Sequence, residues 1–315
     1  MKRFLSGLLL FSVVGVILYM VLVIVVGSFA PDRYKKNLKY ALGRTGNLYT
    51  RIKQADTVKN VDVLVVGSSH AYRGYDPRVF AQYGVHMFNL GSSGQSMMQT
   101  EVLLNQYLDR IKPKLVLFDI YPEYLCSSAI ESALDVVSND HVDAQVLGMA
   151  FKLNNIEVYN TLIYSYFRQK AGLNKNFVEA TSHGKDSYIS GGYVQSLKVS
   201  SPEDHKATEP YKYLLNNKQV EALHRIAELL KERKMPYVFV QSPLPVKHYA
   251  RITNNAEVDS LVSGLGTYYN FNKLMTVPDS LFADGNHLNQ WGVQKYNPEV
   301  LKQLKLGKAS PVAIN

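Results

Sequence analysis

The sequence predicts an α/β fold in which a parallel β-sheet is covered by helices on both faces and is preceded by one transmembrane helix. Three observations predict it. Strand and helix patterns alternate after residue 60, the strand segments are almost wholly apolar, and residues 4–30 contain no charged side chain. Strands that are apolar on both faces are typical of parallel sheets buried between helices. The 315-residue chain is 46% hydrophobic, which excludes a disordered protein, and its single Cys excludes an internal disulfide framework.

The apolar run at residues 4–30 is long enough to cross a bilayer, because about 20 apolar residues span the hydrocarbon core. A cleavable signal peptide is the alternative, and Ser28 and Ala30 offer the small residues that cleavage needs. The apolar region of a signal peptide is shorter, at about 7–15 residues. We therefore predict an uncleaved anchor over residues 1–30 and a juxtamembrane linker over residues 31–60.

The orientation of this segment is left open by its flanking charges. Basic residues lie on both sides of it: Lys2, Arg3, Arg33, Lys35, Lys36 and Lys39. A positive-inside count places the C-terminal side in the cytoplasm, whereas long C-terminal domains cross the membrane largely regardless of flanking charge.

Five strands are predicted, in segments rich in Val, Leu, Phe and Tyr: 61–66, 85–90, 114–121, 236–243 and 267–272. Three helices are predicted from apolar residues at helical spacing: 96–111, 217–234 and 289–305. From about 124 to 211 the alternation lapses, although residues 145–171 have a helical pattern and residues 186–194 are rich in Gly and Tyr. The soluble domain is therefore predicted at 61–315, with an insertion at about 124–211. An insertion of this length is usually a lid or a substrate-binding element, and an oligomer contact is the alternative.

The formal net charge of +9 comes from short, dispersed basic pairs such as Lys35-Lys36. Without a sustained basic stripe, a nucleic-acid partner is not expected. A mildly basic surface suits acidic glycans or lipid headgroups. The sequence has no P-loop motif and no metal-ligand spacing of the H-E-x-x-H kind, so no metal or cofactor is expected.

Three polar loops lie where an open parallel sheet binds ligands, beyond the carboxyl ends of its strands. They are Gly67-Ser68-Ser69-His70, Asn89-Leu90-Gly91-Ser92-Ser93-Gly94-Gln95 and Asp284-Gly285-Asn286-His287. Each loop alone is typical of a turn that caps a helix. Together they supply a serine nucleophile, an imidazole to take its proton and a carboxylate to orient the imidazole.

In this interpretation Ser69 is the nucleophile, His287 is the general base and Asp284 orients His287. The backbone N–H groups of Ser69 and Gly91 are the candidate oxyanion donors, because glycine lets the main chain approach closely. His70 adjoins Ser69, but neighbouring side chains in a turn point apart, so we do not expect it to be the base.

Three motifs of the chain resemble the SGNH (GDSL-like) hydrolases, and more narrowly the membrane-anchored members associated with cell-envelope polymers. The motifs are VVGSSHAYRGYDP (65–77), FNLGSSGQS (88–96) and DGNHLNQWG (284–292). The resemblance covers most of residues 60–122 and 235–303. It implies a three-layer α/β/α sandwich with a flavodoxin-like parallel sheet. It also assigns the nucleophile to Ser69, an oxyanion donor to Gly91 and the remaining triad members to Asp284 and His287.

Two departures from the family pattern are visible. Ser68 replaces the Asp of Gly-Asp-Ser, and the Gly-x-Asn-Asp block that supplies an oxyanion Asn is absent after the third strand. Gln95, or a side chain near Tyr121, is the tentative replacement for that Asn.

The resulting hypothesis is a membrane-anchored serine esterase or O-acyltransferase that acts on acyl groups, most simply acetyl groups, of a cell-envelope polysaccharide. The expected partners are an acylated envelope glycan or small ester, the membrane through the N-terminal helix, and proteins of envelope biosynthesis. The resemblance favours an extracytoplasmic domain, periplasmic or on the cell surface. The alternative is a catalytically silent module of the same fold that binds a glycan or a partner in envelope assembly.

Overall fold

The computed structural model describes residues 1–44, 46–205 and 209–307. Residues 45, 206–208 and 308–315 belong to the predicted linker, insertion and domain end, and they lie outside the described residues. The chain divides into two compact units. We call residues 1–42 with 133–178 the helical unit, and residues 43–132 with 179 onward the sheet unit.

The sheet unit contains one sheet of five parallel strands. These strands are β1 (Val63–Gly67), β2 (Met87–Asn89), β3 (Leu115–Asp119), β7 (Tyr237–Gln241) and β8 (Tyr268–Asn270). Their spatial order is β2-β1-β3-β7-β8, and every neighbouring pair is parallel. Counted along the chain, this is the 2-1-3-4-5 order of flavodoxin-like sheets. The predicted strands and the predicted parallel α/β class are confirmed.

Both faces of this sheet are covered. Val63 and Val65 pack in a core cluster with Tyr296 and Val300 of the last helix. Because side chains alternate along a strand, Leu64 points to the opposite face, where it is also fully buried. The continuous apolar run of β1 is thus explained by helices on both sides of the sheet.

Within the described residues, nine α-helices of the sheet unit surround or connect these strands, and the division between the two units falls within α6. The elements are α2 (Leu48–Ala55), α3 (Ser69–Gly74), α4 (Pro77–Gln82), α5 (Met97–Ile111), α6 (Ile130–Asn139), α9 (Asn217–Glu232), α10 (Val246–Ala250), α11 (Asn255–Ser263), α12 (Phe271–Leu274) and α13 (Gln290–Gln303). Helices α5 and α9 pack together, and α13 packs against α3 and α4. The three predicted helices correspond to α5, α9 and α13.

A small antiparallel sheet lies within the predicted insertion. Its strands are β4 (Ser182–His183), β5 (Asp186–Ile189) and β6 (Tyr193–Ser196). Gly191 and Gly192 connect β5 to β6 with positive φ, which accounts for the Gly-rich sequence at this turn.

The helical unit is built on α1 (Lys2–Phe29), α7 (Ala144–Leu153) and α8 (Ile156–Lys170). Helix α1 has 28 residues and a mean hydropathy of 3.1 in its most apolar window, so it is long and apolar enough to span a membrane. The predicted helical stretch at 145–171 is therefore two helices, separated at Asn154 and Asn155. Asn154 ends α7 in a left-handed conformation, and the side chain of Asn155 caps α8.

Candidate active site

Ser69 is positioned by a tight connection between β1 and α3. Gly67 has a φ of 140°, and a Cβ at this position would lie 2.4 Å from the carbonyl oxygen of Asp119, so only glycine fits. Ser68 then caps α3 by accepting a hydrogen bond from the N–H of His70. Ser69 is therefore the first helical residue, and its own N–H donates to no protein group among the described residues.

Asp284 and His287 lie in the loop before α13 and contact each other. The N–H of His287 donates to Asp284 Oδ1 at 2.9 Å, and both carboxylate oxygens lie 3.0 Å from His287 Nδ1. His287 Nε2 lies 2.7 Å from Ser69 Oγ, across a separation of 218 residues. The structure thus brings the three sequence-predicted residues into one hydrogen-bonded chain.

The electrostatics of the pair favour a fixed imidazole tautomer. Burial acts to raise the pKa of Asp284, but the hydrogen bond and charge of His287, with the backbone N–H groups of Asn286 and His287, hold that pKa well below its ordinary value. Asp284 is therefore ionised at neutral pH. An ionised carboxylate at Nδ1 keeps the proton on that nitrogen and leaves the Nε2 lone pair for Ser69.

His70 lies against the triad rather than away from it. Its ring stacks on Tyr121 with centroids 4.0 Å apart, and the His287 ring is 5.0 Å away. Burial, followed by the influence of His287, holds the pKa of His70 well below its ordinary value, so its ring is neutral at pH 7. Among the described residues, the imidazole that contacts Ser69 Oγ is that of His287 and not that of His70.

Both tentative oxyanion donors of the second motif are engaged elsewhere. The N–H of Gly91 donates to Asn89 Oδ1 at 3.0 Å, and Asn89 itself is held by the carbonyl oxygen of Ala71. The buried Gln95 amide donates to Thr100 Oγ1 at 2.9 Å and accepts from Ser92 Oγ at 3.1 Å. In this structure neither group points a free donor at Ser69. Gly91 instead allows close packing, because a Cβ there would lie 2.8 Å from the Cβ of Ala71 on α3.

Two further candidate donors, Tyr124 and Gly94, were not singled out from the sequence. Burial raises the pKa of Tyr124 to about 12, and the influence of the Ser69 side chain on the phenol opposes this rise. Gly94 packs under the same ring, with 3.7 Å between its Cβ position and Tyr124 Cε1. The N–H of Gly94 donates to no protein group among the described residues.

The signal for Tyr124 was partly present in the sequence. It follows the third strand, in the loop near Tyr121 that the sequence offered as one of two alternatives for the missing oxyanion donor. Tyr124 lies in the short 3-10 helix Pro122–Leu125 that follows the third strand. Tyr121 stacks on His70 and accepts a hydrogen bond from Asn286.

A cavity of about 380 Å³ opens beside the Asp284 loop. Its walls combine basic, acidic and neutral polar side chains: Glu203, Asp204, His205, Lys247, His248, Arg251, Asp284 and Asn286. Cavities of this size hold small organic ligands, and these side chains offer both donors and acceptors to a polar one. Within the described residues, no group of three or more His, Cys, Asp or Glu side chains is placed to hold a metal ion.

Neither a family model nor a curated protein matches the sequence. Two of the solved structures that are similar to this one come from Bacteroides species. A candidate acylhydrolase from Bacteroides fragilis has a TM-score of 0.39 and 10% identity, with 82% of this chain and 97% of that chain covered. A GDSL-like lipase from Bacteroides thetaiotaomicron has a TM-score of 0.39 and 12% identity, with 81% and 98% covered. With TM-scores of 0.39 and identities of 10% and 12%, these similarities carry no argument about function, which is therefore argued from the geometry of the site.

Proposed function

We propose that the protein is a serine-dependent ester hydrolase or O-acyltransferase of the SGNH kind. One observation carries the proposal: the hydrogen-bonded chain from Asp284 through His287 to Ser69, with 2.7 Å between His287 Nε2 and Ser69 Oγ. A serine hydroxyl next to an imidazole that a carboxylate holds in one tautomer is the arrangement that activates serine as a nucleophile.

In the proposed reaction, Ser69 Oγ attacks the acyl carbonyl while His287 Nε2 takes the hydroxyl proton. The tetrahedral intermediate collapses, the bond between the carbonyl carbon and the alkoxy oxygen breaks, and His287 returns the proton to the leaving alcohol. An acyl group then remains on Ser69. A second acceptor, water or a sugar hydroxyl, repeats the sequence and releases the acyl group from the serine.

The negative charge on the carbonyl oxygen needs donors that are in place before the reaction. The N–H groups of Ser69 and Gly94 have no protein partner among the described residues, and the Ser69 side chain influences the pKa of the Tyr124 phenol. We assign the oxyanion hole to these three groups. Gly91 joins them only if its N–H is released from Asn89.

The proposed substrate is an acylated cell-envelope polysaccharide, and the proposed location of the sheet unit is outside the cytoplasm. The resemblance of the three motifs to envelope-associated, membrane-anchored proteins supports both. The polar cavity beside Asp284 supports a hydroxylated substrate over a purely apolar lipid. The same residues would serve a hydrolase and a transferase. The two activities differ in the second acceptor, which is water for the hydrolase and a sugar hydroxyl for the transferase.

A fluorophosphonate probe tests the proposal, since it labels only an activated serine. The full-length protein in detergent is expected to react, and Ser69→Ala is expected to abolish labelling. Ser263→Ala, which changes an exposed serine in α11, is the matched control and is expected to label normally. Protein that has not been exposed to the probe is separately incubated with an O-acetylated polysaccharide, and free acetate is compared with acetate transferred to an added glycan.

Folded wild-type protein that fails to react with the probe contradicts the enzymatic proposal. Binding of an envelope glycan by that unreactive protein, unchanged in Ser69→Ala, would support the catalytically silent module instead.

A further inference from the structure

We infer that the turn between α7 and α8 lies in the headgroup layer of the bilayer that α1 crosses, so that the helical unit is both anchored through the membrane and embedded in its surface. The inference goes beyond the proposed chemistry and rests on α1 as a membrane span. It concerns only elements of the helical unit.

Helix α1 is longer than the hydrocarbon core of a bilayer is thick. Its 28 residues rise about 42 Å at 1.5 Å per residue, whereas the hydrocarbon core is about 30 Å thick. About eight residues therefore extend beyond the core. Helix α8 packs on the C-terminal part: the Tyr19 hydroxyl donates to Asn160 Oδ1, and a Cβ on Gly27 would lie 2.6 Å from the Tyr164 ring. The contact at Tyr19 begins about 15 Å before the end of α1, so α8 reaches the depth at which the core ends.

Two lysines that follow α1 lie beside its C-terminal part. A cavity of about 330 Å³ is lined by Tyr19, Leu22 and Val26 of α1 and by Lys35 and Lys36. The chain thus folds back after α1 and brings two cationic groups beside residues 19–26. Lysines at a membrane surface lie at the level of the lipid phosphates. With that level near Leu22, the segment from residue 2 to 21 spans about 30 Å, which matches the core.

Helix α8 is parallel to α1. Asn160 contacts Tyr19 and Tyr164 contacts Gly27, so α8 runs in the same direction as α1. The first turn of α8, at Ile156, therefore points toward the membrane-crossing part of α1. Large apolar side chains are exposed at this end: Leu147 at 39%, Phe151 at 70% and Ile156 at 48%.

These side chains lie outside the core of the helical unit. In α7 the buried positions are Val146, Met149, Ala150 and Leu153, so Leu147 and Phe151 form a second apolar face one helical turn apart. Phe151 also contacts Tyr159, with ring centroids 6.0 Å apart. Helices that are apolar on their outer face are typical of segments that lie in a membrane interface. Lys152 and Glu157, beside the turn, set the depth at the headgroups rather than in the hydrocarbon core.

Depth-dependent quenching of tryptophan by brominated lipids tests the inference on the full-length protein in phosphatidylcholine vesicles. The background is Trp291→Phe, which removes the single native tryptophan. Phe151→Trp is expected to lose most of its emission with lipids brominated near the headgroup and less with lipids brominated near the chain end. Phe11→Trp, in the middle of residues 2–21, is expected to show the reverse order. Leu214→Trp, at an exposed position of the sheet unit, is the matched control and is expected to be quenched by neither.

Quenching of Phe11→Trp without quenching of Phe151→Trp overturns the inference while leaving the anchor in place. Absence of quenching at both positions overturns the anchor and the inference together. Ile156→Trp repeats the measurement on α8, so that a local disturbance at Phe151 does not decide the outcome. None of these results depends on catalysis, so they are separable from the fate of the proposed reaction.

Discussion

The triad residues are held by local backbone contacts before any substrate arrives. Gly67 and the Ser68 cap fix the first turn of α3, and Asn289 fixes the other loop. The Asn289 side chain accepts from the N–H of Gly292 and donates to the carbonyl oxygens of Ser280 and Phe282. Ser69 and His287 therefore meet because two capped turns bring their side chains to within 2.7 Å of each other.

At this scale the first prediction concerns Asp284. Asp284→Asn is expected to lower kcat/KM for a p-nitrophenyl ester by about 10,000-fold with little change in thermal stability, because the amide favours the wrong imidazole tautomer. Steady-state kinetics and thermal unfolding of the same preparations check this. Asp279→Asn, an exposed carboxylate shortly before the loop, should retain wild-type turnover. Near-normal turnover in Asp284→Asn would show that Asp284 does not orient His287.

The second prediction concerns Tyr124. Tyr124→Phe removes one donor to the developing oxyanion and is expected to lower kcat about 100-fold, with KM changed little, since loss of a single donor typically costs 100- to 1,000-fold. Tyr83→Phe, a partly exposed phenol at the end of α4, serves as the control and is expected to be neutral. A Tyr124→Phe enzyme with unchanged kcat would leave the hole to the backbone N–H groups alone.

At the level of whole elements, the loop after β2 and helix α3 pack closely together, backbone against backbone. The loop after β2 presses on α3 at Gly91, where a Cβ would lie 3.0 Å from the carbonyl oxygen of Gly67 and from the N–H nitrogen of Tyr72. Gly91→Ala is therefore expected to displace α3, costing about 1–3 kcal/mol of stability and lowering kcat by a larger factor than the change in stability explains. Gly148→Ala, with nothing within 4 Å of its Cβ, is the control. Wild-type kinetics and stability in Gly91→Ala would mean that the two elements separate freely.

The carboxyl end of β3 carries a buried acid that the triad does not use. Asp119 Oδ2 accepts hydrogen bonds from Tyr75, at 2.7 Å, and from Ser242, while Oδ1 accepts none from the part of the chain that the structure describes. Burial raises the pKa of Asp119 to about 6, despite these hydrogen bonds. Since the folded-state pKa lies above that of the unfolded chain, this group stabilises the fold below about pH 4 and loses that contribution as pH rises to about 6.

The expected size of that loss is about 3 kcal/mol, at 1.36 kcal/mol for each pKa unit. Denaturant unfolding of the full-length protein in detergent, measured from about pH 4 to about pH 7, should show it as a fall in the free energy of unfolding. Asp119→Asn cannot ionise, so its unfolding free energy should vary less over the same range. An equal pH dependence in both proteins would assign the effect to other groups.

For the molecule as a whole, sequence patterns predicted the strands and helices, because these depend on which residues are buried. They did not predict hydrogen bonds between side chains that are far apart in the sequence. The apolar run of β1 is readable because the strand is buried on both faces. The hydrogen bond from the Gly91 N–H to Asn89 Oδ1 could not be predicted from the sequence, since an Asn after a strand has many possible partners. The contact of Tyr19 with Asn160 joins residues 141 positions apart, and no local pattern indicates it.

The last prediction follows from that contact and concerns the fate of α1. Cleavage after Ala30 would remove the partners of two largely buried side chains on α8, Asn160 at 8% and Tyr164 at 5% exposure. The uncleaved chain keeps these contacts and is therefore better packed than a chain cleaved after Ala30. We expect the protein in the membrane fraction after an alkaline carbonate wash, with a mass that includes residues 1–30. Val13→Arg, which places a charge at mid-helix at a cost of about 2.5–3.5 kcal/mol for insertion, should shift protein to the soluble fraction. A mature chain that begins after Ala30 and stays soluble would identify α1 as a signal peptide.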